Sequence, residues 1–282
     1  MLGTIQFELC RVELHFDERN FVLTIDDGGF HLVAFLVLFF FECAGHVDLL
    51  LELADFFEQV LRQSQRVHHP NYIGHQISAP ADLGAVMELV NALLNNGMAI
   101  YEMGPIQTAA ENRVVEWMVR RLGLPGEARG HFTSGGTLGN LTALLAARAW
   151  AYGGKVWQNG QVSERLPCVL VSGEAHYSID RAVRVMGWGA GGIEKVATDA
   201  DRRMDLADLP AALERARERG RRVLAVVGSA CSTAVGAFDP LDAIADFCAA
   251  HELWMHVDGA HGASFILTER GRELLAGVGR AD

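Results

Sequence analysis

The run "LWMHVDGAHGAS", residues 253–264, ends an apolar stretch on a carboxylate, Asp258, with His256 before it and His261 after it. A carboxylate at the mouth of a buried strand needs a partner. Three partners are open: a loop amide, a metal ion, or the N–H of a pyridinium ring, which a carboxylate keeps protonated so that the ring can draw in electrons. His256 and Asp258 fall on one strand face, but the stretch supplies no evident fourth ligand for a metal. Upstream, "HFTSGGTLGNLTALLAARAW" (131–150) sets Gly135, Gly136, Thr133, Ser134 and Thr137 ahead of a strong helical run. Amides at a helix start lack intrahelical partners, and the dipole there favours an anion such as phosphate. A plain turn with Thr137 as the N-cap fits the same residues, and the run is neither a Walker loop nor a GxGxxG fingerprint. His176, in "SGEAHYSIDRA", could stack its imidazole on a flat ring, or serve only as a loop residue. Thr233, in "CSTAVGAFDP", could donate a hydrogen bond to a ligand, or simply close a Ser/Thr turn.

These residues need elements to hold them. Helical periodicity predicts helices over 47–65, over 81–96 with Gly97 at its close, and over 105–126, where Pro105 suits the first turn and Gly123 and Pro125 the stop. Beyond them the pattern alternates. Strands are expected at 168–172, 193–198, 222–229 and 253–258, with helices at 138–151, 178–186, 206–219 (Asp205 as N-cap) and 240–251. Strand-helix alternation implies a mostly parallel sheet covered on both faces, with ligands beyond the carboxyl ends of its strands. Asp258, "SGEAH" and "GSACST" all stand at such ends.

The bulk numbers bound the partners. The 282 residues are half hydrophobic with a net charge of −11, which argues against a nucleic-acid partner and against an anionic membrane surface. Five cysteines are scattered without a CxxC, as in free thiols of a reducing, cytoplasmic setting. The apolar run Leu32–Phe41 is too short to span a bilayer, and the acidic residues before it do not suit a signal peptide. Residues 1–45 have neither helical nor strand patterning, and no function is built on them.

In this order, a Gly-rich turn, a histidine after a strand, a loop ending "GAFDPLDAI" and then "WMHVDGAHG" resemble the pyridoxal-phosphate-dependent group II amino-acid decarboxylases, a family that includes glutamate, diaminobutyrate and aromatic L-amino acid decarboxylases. "HPNYIGHQISAP" is similar to that family's N-terminal loop, and the resemblance covers Val47 to Asp282. It implies an α/β fold of the aspartate aminotransferase type (pyridoxal-phosphate fold type I), with 46–104 as a helical arm and 105–282 as a cofactor-binding large domain. It implies pyridoxal 5′-phosphate as cofactor, a small amino-acid substrate (glutamate- or diaminobutyrate-like rather than aromatic) and a homodimer in the full-length form. Residue by residue, Gly136 and Thr137 would bind the phosphate and His176 would stack on the ring. Thr233 would lie near the ring face or its 3′-oxygen, Asp258 would pair with the ring nitrogen and Ala260 would pack beneath the ring. His75 and Gln76 would border the substrate.

One departure stands against the agreements. The family's cofactor-bearing lysine follows the "HVD" motif in an "S…D-x-H-K" sequence, whereas the only lysines here are Lys155 and Lys195. The expectation is a chain that stops short of that lysine and of the family's small domain, and so lacks turnover alone. A non-catalytic paralogue or partner subunit, and another pyridoxal-phosphate enzyme such as an aminotransferase, are the alternatives. No GxSxG elbow points to a hydrolase.

Overall fold

Regular structure opens with a hairpin: β1 (Val12–Asp17) and β2 (Asn20–Ile25) pair antiparallel, Val12 opposite Ile25 and Asp17 opposite Asn20. Against the expectation of no strand patterning over 1–45, Val12, Leu14 and Phe16 alternate with Glu13, His15 and Asp17 along β1. The computed structural model describes residues 12–17, 20–25, 47–67, 69–74, 77–160 and 165–282, in two units, 1–96 and 97–282. The apolar run Leu32–Phe41 lies outside the described residues, as do His75 and Gln76. In the first unit the two amphipathic runs form α1 (Val47–Gln63) and α2 (Asp82–Leu94). α2 closes earlier than Gly97: Asn95 takes the left-handed conformation at φ 49° and its amide bonds Asn91 O. Asparagine visits this region more readily than most residues, so no glycine is needed.

The second unit holds the site. α3 (Pro105–Leu122) starts on its proline and stops at Gly123, whose φ of 71° suits a residue without Cβ. Next come α4 (Gly136–Tyr152) and the short α5 (Lys155–Asn159). Strands and helices then alternate as β3 (Pro167–Ser172), α6 (Tyr177–Val185), β4 (Ile193–Val196), α7 (Leu209–Glu218), β5 (Arg222–Ser229), α8 (Leu241–His251) and β6 (Trp254–Asp258), before α9 (Glu269–Leu274). The four strands form one parallel sheet in the order β4-β3-β5-β6.

The apolar runs of β3 and β5 are buried on both faces, so both must be covered. On one face Leu144 of α4 and Ile179 and Val183 of α6 pack against Val169, Val171 and Val227. On the other, Leu213 of α7 and Leu241 and Ile244 of α8 pack against Leu170, Val226 and Met255. From β3 the chain steps outward to β4, then crosses back to β5 and moves on to β6, so the order reverses between β3 and β5. Crevices beyond the carboxyl ends of strands at such a reversal are where ligands settle. Among the described residues no helix is long and apolar enough to cross a membrane.

Two helix starts lie more than one residue from the sequence expectation. α7 begins at Leu209, not Leu206, because Pro210 suits a first turn and Asp205 is spent on the turn before it, accepting from the Ala207 amide at 2.9 Å. α4 begins at Gly136 with Gly135 as N-cap, so Thr137 sits inside the first turn and caps nothing.

Candidate functional site

Period-two alternation puts Trp254, His256 and Asp258 on one face of β6, the face that α4 covers. Along α4 the residues turned toward the sheet recur at helical spacing: Asn140, Leu144 and Ala147 are all buried. A buried amide on an otherwise apolar stripe must find partners. Asn140 finds three. Its Nδ2 donates to Asp258 Oδ2 at 2.9 Å and to Ser178 Oγ at 2.9 Å, and its Oδ1 accepts from His256 Nε2 at 2.8 Å. Burial pushes the His256 imidazole down to about 4, a loss of solvation only partly offset by the Asp258 charge. His256 is therefore neutral at physiological pH, with its proton on Nε2.

His176 follows β3 and is the N-cap of α6. Its Nδ1 accepts from the Ser178 amide at 3.3 Å and lies 2.8 Å from Ser178 Oγ. An amide can only donate, so Nδ1 is the acceptor nitrogen and Nε2 carries the proton. The His176 ring lies beside Tyr177, centroids 4.1 Å apart.

The Gly-rich turn meets the same place. No hydrogen bond joins the amides of Gly136 and Thr137 to the backbone among the described residues, as expected of a helix start. A Cβ on Gly136 would stand 2.7 Å from the Ala260 Cβ, so only glycine lets the start of α4 approach the turn after β6 this closely. The Ala260 amide donates to Asp258 Oδ1 at 3.2 Å. Gly262 in the same turn donates to Ala230 O at 3.0 Å, tying it to the loop after β5. That loop is closed by Ser232, whose Oγ accepts from the Ala237 amide at 3.2 Å, and Thr233 is half-buried within it.

The structure thus gathers Gly136, Ala260, Asp258 and, through Asn140 and Ser178, His176. Thr233 stands on the adjoining loop. His256 is committed to Asn140, His261 is exposed, and among the described residues no three His, Cys, Asp or Glu side chains converge on a metal position. Sequence reasoning passed over Asn140 and Ser178. The legible signal was an asparagine on the stripe that carries Leu144 and Ala147.

Neutral His256 makes stability depend on pH. Its folded value lies below the ordinary 6.5, so between pH 6.5 and 4 the unfolded chain binds more protons than the folded one. The stabilisation is whole above pH 6.5 and is lost as pH falls through that window, by up to about 1.4 kcal/mol per pH unit. Asp239, whose carboxyl is raised by burial, acts in the opposite sense. Comparison with His256→Gln, which keeps a donor to Asn140, isolates the histidine. Denaturant unfolding at pH 7 and pH 5 should show the wild type losing roughly 2 kcal/mol more than the variant. Equal losses would mean the imidazole is not held neutral.

The family model described as the pyridoxal-dependent decarboxylase conserved domain matches residues 46–282. The L-2,4-diaminobutyrate decarboxylase of Rhizobium meliloti (strain 1021) is 34% identical over 229 residues, 81% of this chain and 44% of that protein. The aromatic-L-amino-acid decarboxylase of Bacillus atrophaeus is 31% identical over 223 residues, 79% of this chain and 45% of its own length. The chain therefore spans less than half the length of these curated relatives. Among solved structures, the glutamate decarboxylase domain of the diaminobutyrate-pyruvate transaminase and L-2,4-diaminobutyrate decarboxylase from Vibrio parahaemolyticus superposes with a TM-score of 0.77 at 33% identity, covering 80% of this chain and 50% of that one.

Proposed function

Since the chain belongs to the family of pyridoxal-dependent decarboxylases and has the aspartate aminotransferase-like fold of pyridoxal-phosphate fold type I, we propose that its strand-end site holds pyridoxal 5′-phosphate for decarboxylation of an L-amino acid. The substrate class is glutamate- or diaminobutyrate-like. The observation that carries this reading is the carboxylate of Asp258, fixed by Asn140 at the end of β6 and bordered by the glycine turn that opens α4.

The residues present fit the cofactor. A carboxylate offers about four acceptor positions, and Asp258 spends one on Asn140 and one on the Ala260 amide, which leaves acceptors for a ring N–H. The Gly136 and Thr137 amides stand at a helix start suited to a phosphate. The tight Gly136–Ala260 approach forms a cradle that any side chain on Gly136 would fill. Bound there, the cofactor supplies an electron sink for the charge left when the substrate carboxyl departs as CO2.

Asp258 holds the proton at the ring nitrogen and so keeps the ring cationic. Gly136 and Thr137 bind the phosphate, and His176 lies on the ring. Ala260 packs beneath it, and Thr233 donates at the ring face or the 3′-oxygen. The helical arm spans 46–104 and the large domain 105–282. In its full-length form the enzyme is a homodimer.

A second reading, binding without turnover by these 282 residues, is favoured by the lysines. Lys155 is exposed at the start of α5, and Lys195 is exposed on β4, the edge strand. Neither stands on the loops that carry the site. Titration with pyridoxal phosphate, followed by borohydride and mass spectrometry, tests both readings. We expect saturable binding, no pyridoxyl-lysine and no CO2 from L-2,4-diaminobutyrate, L-glutamate or aromatic amino acids. An absence of binding would sink the cofactor assignment, and CO2 release would sink the second reading alone.

A further inference from the structure

We propose that Asn140 is a positioning residue that joins the two cofactor-facing side chains, Asp258 and His176, into one directed hydrogen-bond chain; this rests on the cofactor reading above. The direction of the chain follows from chemistry alone. Asp258 Oδ2 can only accept, so the Asn140 atom 2.9 Å from it must be the amide nitrogen. Turned over, the amide would set two acceptor oxygens against each other. The Asn140 oxygen then faces His256, which must donate at 2.8 Å. The second Nδ2 hydrogen goes to Ser178 Oγ at 2.9 Å, so the serine's own hydrogen is left for His176 Nδ1 at 2.8 Å.

Each bond fixes the sense of the next, from buried His256 through Asn140 to Asp258 on one branch and through Ser178 to His176 on the other. Asn140 is 4% exposed and Ser178 0%, so water does not scramble the order. The chain aims one carboxylate oxygen and one imidazole plane, on separate strand ends, from a single amide. Asp258 bonds Asn140 directly, and His176 is linked to it through Ser178.

Three variants of the 282-residue chain, with Leu144→Ala as a control, test the linkage. In Asn140→Ala, affinity for pyridoxal phosphate should fall about tenfold, as when a hydrogen bond to a charged group is lost. In Asn140→Asp the new carboxylate accepts the Ser178 hydroxyl, so His176 Nδ1 loses a donor. Its 15N resonance, read without cofactor, should then move downfield. Ser178→Ala should shift the same resonance while leaving the Asn140–Asp258 bond, and cost less affinity than Asn140→Ala. Leu144→Ala on the same stripe of α4 should lower the melting temperature yet keep cofactor affinity within about twofold, which separates positioning from mere packing. If Asn140→Ala fails to fold, the other two variants decide. Unmoved His176 nitrogens in Asn140→Asp and Ser178→Ala, or wild-type affinity in Asn140→Ala, would overturn the proposal. Should the wild-type chain bind no pyridoxal phosphate, the functional reading fails, and with it the cofactor role of Asn140. The imidazole measurement still decides whether the chain of bonds exists.

Discussion

Asp258→Ala should weaken pyridoxal phosphate binding by roughly 10- to 150-fold, the worth of a hydrogen bond to a charged group. The argument is one of replacement. Nothing else on the described face of β6 supplies a carboxylate: His256, two residues back on that face, is neutral and donates to Asn140. Alanine also strands one hydrogen of the buried Asn140 amide, so the variant should melt lower as well. Asp258→Asn separates the two effects. An asparagine oxygen can still accept from Asn140, which preserves the fold, but a neutral amide does not hold a cationic ring. With 15N-labelled cofactor, the ring nitrogen should read as protonated in the wild type and unprotonated in Asp258→Asn. Retained affinity in Asp258→Ala, or an unchanged ring nitrogen in Asp258→Asn, would remove the carboxylate from its assigned place.

How far the sequence could carry this differs by residue. Apolar runs such as "RVLAVVGS" coincide with β5 (Arg222–Ser229) because a strand covered on both faces leaves little room for polar side chains. Asp258 and His256 were readable as face-mates from alternation alone. The start of α7 was not, since Asp205 looks like a cap although the turn before the helix takes its side chain. The choice rests on tertiary partners: Asp208 accepts from the Ala197 amide at 2.8 Å and pairs with Arg215. The hairpin of β1 and β2 was legible in part: Val12, Leu14 and Phe16 alternate with polar residues along β1, whereas "NFVLTI" of β2 does not alternate cleanly. Asn140 was half legible. Its place on the stripe with Leu144 and Ala147 marks a buried amide, but its three partners lie 38, 116 and 118 residues away, beyond any local pattern. The commitment of His256 Nε2 to Asn140 was likewise visible only in the structure.

Asp239 makes the same point about distant partners and gives the largest expected loss of stability. In the sequence it is one letter of "GAFDPLDAI". In the structure it is 3% exposed, and its two oxygens accept from the Met204 and Ser229 amides, each at 2.7 Å. Its own amide returns a bond to Ser229 O at 3.0 Å. The side chain thereby ties the end of β5, and the loop bearing Thr233, to the turn that follows β4. Burial raises its carboxyl above the ordinary carboxylate range, so the charge is held at a cost that those two amides offset only in part. Alanine removes both acceptors and strands two buried donors, each worth about 1–3 kcal/mol. Asp239→Ala should therefore cost about 3–5 kcal/mol, a fall in melting temperature of roughly 10 °C. Asp239→Asn keeps one acceptor oxygen but turns an amide hydrogen toward the other donor, and should fall between the two. Thermal unfolding at neutral pH reads the series. An Asp239→Ala protein that melts with the wild type would mean that the two amides find other acceptors, and that the end of β5 is held by packing alone.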